Sequence, residues 1–129
     1  MVVERLAGAA FQAAFWLPLV ICTWLALTPA PPEALFRVGD FVLHAGAFAY
    51  LAFASRLAFP AAAWPYVVLW LLAFGAGIEL LQGIGGQRSA EWADLAVDAV
   101  GIVLGLLLYR VAGQPLRRWV LGMLQSLFR

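Results

Sequence analysis

Charged residues are scarce in this sequence, and their scarcity decides the class of protein. Of 129 residues, 12% are charged and 65% are hydrophobic, and the mean hydropathy is +0.93. Soluble domains average about 25% charged and about 45–50% apolar residues, so this composition excludes an ordinary soluble domain. The sequence also has no basic patch with interleaved aromatic residues and no glycine-rich phosphate loop. We therefore expect the lipid bilayer as a partner and no nucleic acid.

Cysteine is nearly absent, which excludes an intramolecular disulfide. Cys22 is the only one, and it lies in an apolar run. We interpret it as a small core residue rather than a reactive thiol. No histidine or cysteine spacing matches a metal-finger motif. The sequence therefore predicts neither a metal ion nor a cofactor.

Four long apolar segments are what the sequence does contain, at about residues 6–28, 41–59, 64–82 and 92–112. A helix needs about 20 apolar residues to cross the hydrocarbon core of a bilayer. Helices are expected because lipid offers no partner to the backbone of an open sheet. The first segment is longer than the apolar region of a signal peptide, so we expect it to be retained. The predicted fold is all-α: a single integral membrane domain over residues 1–129, built as a four-helix bundle.

Arginine placement predicts the orientation of the bundle. If the N-terminus is cytoplasmic, six arginines lie on that side and two, Arg37 and Arg88, lie outside. The positive-inside rule then predicts cytoplasmic termini in the inner membrane, with the first and third loops facing the extracytoplasmic side. Residues 115–129 have apolar positions at helical spacing and are predicted to form a short amphipathic helix on the cytoplasmic leaflet.

The few polar residues near the helix ends fall on the side of the first and third loops. Asp40 and His44 are four apart and share one helix face, where Asp40 can cap the helix and orient the imidazole. Glu79 and Gln82 share the outer end of the third helix. The remaining members are Arg88, Ser89, Glu91, Asp94 and Asp98. Ionisable groups within a membrane are costly, so this cluster predicts a functional site.

Small residues continue the acidic face of the fourth helix. Asp94 and Asp98 are four apart, and Gly101 and Gly105 extend the same face. A pair of glycines four apart lets another helix approach closely. The acidic stripe is therefore expected to face protein rather than lipid.

Four stretches of the sequence, taken in order, resemble the VanZ-like family. They are DFVLHAGAF at 40–48, ELLQ at 79–82, RSAEWAD at 88–94 and DAVG at 98–101. The resemblance covers about residues 40–105. One departure is Asp98, where the family commonly has asparagine. The family's namesake is associated with teicoplanin resistance, so the resemblance implies a membrane topology, a polar site and an expected link to the cell envelope or to glycopeptides.

The residues leave several functions open. In an enzyme acting on an envelope lipid or lipid-linked precursor, the predicted catalytic residues are His44, Asp40, Glu79 and Asp94. Arg88 would hold a phosphate or carboxylate. The other predicted substrate-binding residues are Gln82, Glu91, Asp98 and Ser89, with Ser89 a weak candidate nucleophile.

The alternatives use the same cluster differently. A non-catalytic module would bind an envelope component or a glycopeptide, anchored by Arg88. A proton-coupled transporter or flippase subunit would need a homo-oligomer, because four helices are few for a transport path. A packing network would use the cluster only to set helix register. A divalent cation held by His44, Glu79, Asp94 and Asp98 has suitable chemistry but no supporting motif.

Overall fold

The protein is all-helical over the residues that its computed structural model describes, which are 1–29, 39–86 and 91–128. Four helices are long and apolar enough to cross a membrane, as the sequence predicts. The helices and one π-helical turn are α1 (Val2–Leu27), α2 (Asp40–Ala58), α3 (Trp64–Gly85), α4 (Trp92–Leu108), the π-helical turn (Tyr109–Gly113) and α5 (Gln114–Leu127).

The closest helix pair is α2 with α4, which share the most extensive interface of the bundle. Gly101 and Gly105 of α4 are buried there against the backbone of α2. A Cβ atom on Gly101 would lie 3.0 Å from Cα of Ala45, which is closer than packed atoms normally come. The predicted role of this glycine pair in close helix approach is confirmed.

The core is narrow, and most of the outer surface is apolar. Phe15, Leu51, Leu71 and Ile102 are each at most 2% exposed and bring all four membrane-spanning helices together. Leucines such as Leu17 stay largely exposed on the outside of the bundle. An apolar exterior around a small core is expected when lipid rather than water surrounds the helices.

Two helix ends depend on glycine. Gly39 precedes α2 with φ +88°, and it occupies the cap position predicted for Asp40. That capping prediction is wrong: Asp40 is the first residue of the helix and makes no side-chain capping bond. Gly86 ends α3 in the left-handed conformation with φ +67°, a common way to terminate a helix.

The fourth segment does not end near residue 112. It continues from α4 through the π-helical turn into α5, where Gly113 packs under the ring of Tyr109. The amphipathic helix predicted for the tail is therefore present. Its apolar side packs against the core through Leu116, Val120 and Leu124. Its position on the cytoplasmic leaflet stays a prediction.

Candidate functional site

His44, the only histidine of the chain, connects two helices of the bundle. Its Nδ1 lies 2.8 Å from Oδ1 of Asp98 on α4, and its Nε2 lies 3.5 Å from Oδ2 of Asp94. Asp98 is 1% exposed, whereas His44 and Asp94 are partly accessible. The Asp98 contact fixes the imidazole ring and leaves Nε2 facing the second carboxylate.

Glu79 of α3 is a buried carboxylate with only one of its oxygens partnered. Its Oε2 accepts a hydrogen bond of 2.8 Å from the backbone N–H of Glu91, immediately before α4. Its Oε1 is buried and has no hydrogen-bond partner among residues 1–29, 39–86 and 91–128. Such a group is costly unless something satisfies it, so this oxygen is a candidate ligand-binding atom.

Gly75 allows Asp98 to lie against α3. A Cβ atom on Gly75 would be 2.6 Å from Oδ2 of Asp98 and 3.2 Å from the ring of Phe48. A side chain at position 75 would therefore displace the carboxylate that holds His44. The glycine one turn before Glu79 is a structural requirement of the cluster.

A cleft of about 180 Å³ opens beside the cluster, between α1, α2 and α3. Its polar residues are His44, Glu79, Gln82, Asp98 and Asp40, the last being exposed. Its other walls are apolar. They are formed by Cys22, Leu25, Ala26, Leu43, Ala47, Phe48, Phe74, Gly75 and Ile78. The cleft therefore combines an anionic, imidazole-containing region with walls that suit a hydrocarbon chain.

Comparison with protein families assigns the chain to a known group. The family model described as VanZ/LLP1 matches residues 11–113. The chain belongs to the VanZ/LLP1 family. The match covers all four membrane-spanning helices at least in part and includes His44, Glu79, Asp94 and Asp98. No curated protein and no solved structure matches the chain.

Family membership together with four apolar helices makes this a multi-pass membrane protein of the VanZ/LLP1 family. Among the stretches that resemble the family, 40–48 lies on α2, 79–82 lies on α3, and 92–94 and 98–101 lie on α4. Residues 88–90 lie outside the described residues. The family match is longer than the resemblance at about residues 40–105, because it also includes most of α1.

The structure brings together four of the predicted site residues: His44, Glu79, Asp94 and Asp98. Asp40 lies at the exposed edge of the cleft, apart from the contacts of the imidazole. Asp98, instead of Asp40, is the hydrogen-bond partner of His44. The expectation that Asp40 orients His44 is therefore corrected.

The remaining predicted site residues do not belong to this group of four side chains. Gln82 donates a hydrogen bond of 2.7 Å to the carbonyl oxygen of Ala26, which ties α3 to α1. Glu91 contributes its backbone N–H to Glu79, and its side chain is exposed. Arg88 and Ser89 lie in 87–90, outside the described residues.

Sequence reasoning missed the contribution of α1 to the site. Cys22 is half-buried on the wall of the cleft, one turn before Ala26, rather than in the core. Phe74 lines the opposite wall from α3. The available signal was a pair of small side chains four residues apart, Cys22 and Ala26, within the stretch 16–27 of α1, whose other residues are mostly large.

The arrangement has two chemical capacities. The imidazole of His44, held at Nδ1, can exchange a proton or bind an ion at Nε2. In addition, ligand atoms from His44, Glu79 and Asp94 all lie within 4.8 Å of one another, which is close enough for one metal ion to join them after small movements.

Proposed function

We propose that this protein binds a cell-envelope lipid or lipid-linked precursor in the cleft between α1, α2 and α3. The observation that carries the proposal is the mixed lining: apolar walls such as Leu43 and Phe74 adjoin the polar group of His44, Glu79 and Asp98. Binding sites commonly combine apolar walls with a few positioned polar groups. An amphipathic molecule satisfies both parts at once.

The size of the cleft limits how much of the molecule enters. Its volume of about 180 Å³ is below the roughly 300–1,000 Å³ of sites that enclose a small-molecule ligand. We therefore expect a head group, or a short length of chain, to occupy the cleft while the rest of the lipid stays in the bilayer. Carboxylates dominate the polar lining, which favours head groups rich in hydroxyl, amide or amino donors.

The location of the site is part of the proposal. The arginine distribution favours an inner-membrane protein with cytoplasmic termini. The cleft then opens on the extracytoplasmic side, where lipid-linked envelope precursors are exposed. A glycopeptide of the teicoplanin type is a second ligand to test, because the VanZ-like resemblance supports it.

A catalytic function is the second candidate, and the His44–Asp98 contact favours it. A carboxylate at Nδ1 holds the imidazole so that Nε2 can accept or give a proton. In this case the bound lipid would be converted rather than only held. Turnover distinguishes the two functions.

Photo-crosslinking in lipid nanodiscs tests the proposal. The probes are photoactivatable phosphatidylethanolamine, which has an amino head group, and a photoactivatable undecaprenyl-linked sugar precursor, which has hydroxyl and amide donors. The crosslinked peptides are identified by mass spectrometry. Leu43→Trp should reduce crosslinking on the cleft-lining segments of α1 and α3 by filling the cleft. Leu17→Trp is the matched control, because Leu17 is 63% exposed on the outside of the bundle.

The outcomes separate the possibilities. Cleft-specific crosslinking that Leu43→Trp reduces and Leu17→Trp leaves unchanged supports lipid binding. Equal crosslinking in wild type and both variants contradicts it and leaves a packing role for the polar cluster. Chemical conversion of a probe by the wild type, if it is lost in His44→Gln, shows that the protein is an enzyme.

A further inference from the structure

We infer that His44, Glu79 and Asp94 form a binding site for one first-row divalent cation of the zinc or manganese type. The ligand atoms would be Nε2 of His44 and one carboxylate oxygen each from Glu79 and Asp94. Water or the head group of a bound lipid would complete the coordination. This inference goes beyond lipid binding, since ion binding can be measured with no envelope lipid added.

The distance between His44 and Asp94 suits two ligands of one cation better than it suits a direct hydrogen bond. Nε2 of His44 and Oδ2 of Asp94 are 3.5 Å apart, which is too long for a good hydrogen bond. Two ligands at about 2.1 Å from a tetrahedral zinc ion are about 3.4 Å apart. With a carboxylate oxygen of Glu79 as the third ligand, the three atoms all lie within 4.8 Å of one another. Modest side-chain rotations would therefore bring all three to one ion.

Glu79 provides an independent indication of a ligand. Its side chain is 1% exposed, and its Oε1 has no hydrogen-bond partner in the described part of the chain. Its other oxygen is already held by the N–H of Glu91. A carboxylate anchored through one oxygen with the other free is suited to bind a metal through a single oxygen.

Asp98 has the role of a positioning residue in this site. Metal-binding histidines usually pair their second ring nitrogen with a carboxylate or a carbonyl, which sets the tautomer and the ring orientation. Asp98 makes this contact with Nδ1 at 2.8 Å and leaves Nε2 for the ion. The arrangement of Asp98, His44 and an ion follows this general pattern.

Charge also favours a cation at this position. Glu79, Asp94 and Asp98 surround one imidazole, and no lysine or arginine is among the described residues that line the cleft. Carboxylates that lie close together near hydrocarbon require a compensating charge. A divalent ion supplies it. The mixture of imidazole and carboxylate ligands favours Zn²⁺ or Mn²⁺ over Ca²⁺ or Mg²⁺.

Metal-binding measurements on the purified chain in nanodiscs test the inference. The protein is stripped with a chelator and titrated with Zn²⁺ and Mn²⁺, with Ca²⁺ as the comparison ion. We expect one bound Zn²⁺ or Mn²⁺ per chain. Glu79→Gln and Asp94→Asn should each weaken binding more than about tenfold, because loss of an outer-shell partner alone costs about 10- to 100-fold. Thermal unfolding confirms that each variant is folded.

Two controls make the result specific. Glu4→Gln is the same acid-to-amide change on an exposed residue in the first turn of α1, and it should leave binding unchanged. Pulsed EPR of bound Mn²⁺ should show coupling to an imidazole nitrogen. His44→Gln should remove that coupling, because the chain has no other histidine.

Three results would overturn the inference. One is the absence of stoichiometric Zn²⁺ or Mn²⁺ in the wild type, and another is an equal loss of binding with Glu4→Gln. The third is binding that occurs only in Arg88→Gln, which would mean that the arginine occupies the position of the ion. A failure of lipid crosslinking with intact metal binding would contradict only the proposed function.

Discussion

His44 on α2 and Asp98 on α4 contact each other at 2.8 Å although 54 residues separate them in the chain. The contact lies at the interface between α2 and α4, the most extensive of the bundle, next to the point where Gly101 packs against the backbone of α2. It therefore connects the packing of the bundle to the geometry of the cleft. A change at either residue should affect stability and ligand binding together.

Asp98→Ala should destabilise the protein through the loss of this contact. Hydrogen bonds between membrane helices contribute about 0.6 kcal/mol on average and up to about 1.7 kcal/mol. We expect the free energy of unfolding to fall by about 1–2 kcal/mol once the lost packing is included. Asp98→Asn should have a smaller effect, because the amide oxygen can still accept a hydrogen bond.

Unfolding in mixed micelles, followed by circular dichroism, measures these differences. Asp40→Asn is the comparison, since Asp40 is exposed and does not contact the imidazole. If Asp40→Asn proved as destabilising as Asp98→Ala, the assignment of Asp98 as the partner of His44 would be wrong.

Gly101→Ala should weaken the interface between α2 and α4. The added Cβ would lie 3.0 Å from Cα of Ala45, so the two helices must separate slightly. Overpacking of this kind costs about 1–3 kcal/mol. Gly77→Ala is a matched control on α3, because nothing lies within 4 Å of its Cβ position. That substitution should be neutral or stabilise by up to about 1 kcal/mol, the helix preference of alanine.

Thermal unfolding of the two glycine variants in the same detergent checks this prediction. A lower transition temperature for Gly101→Ala alone is the expected result. Equal transition temperatures would show that α2 and α4 are less tightly packed than the structure indicates.

Fusion reporters should locate both termini in the cytoplasm. The physical reason is the excess of arginine on that side, six against two. A fluorescent protein fused after residue 129 should fold and emit. Alkaline phosphatase should be active when fused after residue 29 and inactive when fused after residue 62. The opposite pattern would reverse the orientation and place the cleft on the cytoplasmic side.

The helices were predictable because each depends mainly on local properties. A run of about 20 apolar residues is enough to indicate a membrane-spanning helix, and the four helices begin or end close to the predicted positions. The spacing of Gly101 and Gly105 was also enough to predict that another helix approaches α4 closely. The continuation into α5 was harder to predict, since the π-helical turn at Tyr109–Gly113 has no simple sequence signal.

The contacts within the site were only partly predictable because they depend on tertiary structure. Spacing on one helix suggested Asp40 as the partner of His44, yet a residue on another helix holds the ring. Nothing local distinguishes Asp98 from Asp40 as a hydrogen-bond partner. Similarly, the bond from the backbone of Glu91 to Glu79 could not be predicted from residue type, since any residue with an N–H can make it.

Gly75→Ala tests the site without removing any polar group. The new methyl would lie 2.6 Å from Oδ2 of Asp98, so the carboxylate must move away from α3. Because Asp98 holds Nδ1 of His44, the imidazole should lose its orientation toward Asp94. Displacing such an outer partner should weaken Zn²⁺ binding about tenfold or more.

The matched control is Gly77→Ala, two residues further along the same helix and with open space at its Cβ position. Zn²⁺ titration and lipid crosslinking are measured on both variants at equal folded fraction. Weaker Zn²⁺ binding in Gly75→Ala alone would show that the position of Asp98 controls the ion site. Weaker crosslinking without a change in Zn²⁺ affinity would mean that the methyl only fills the cleft, because Gly75 also lines its wall. Unchanged binding in both measurements would contradict the role assigned to Gly75, since the carboxylate would then have moved without consequence.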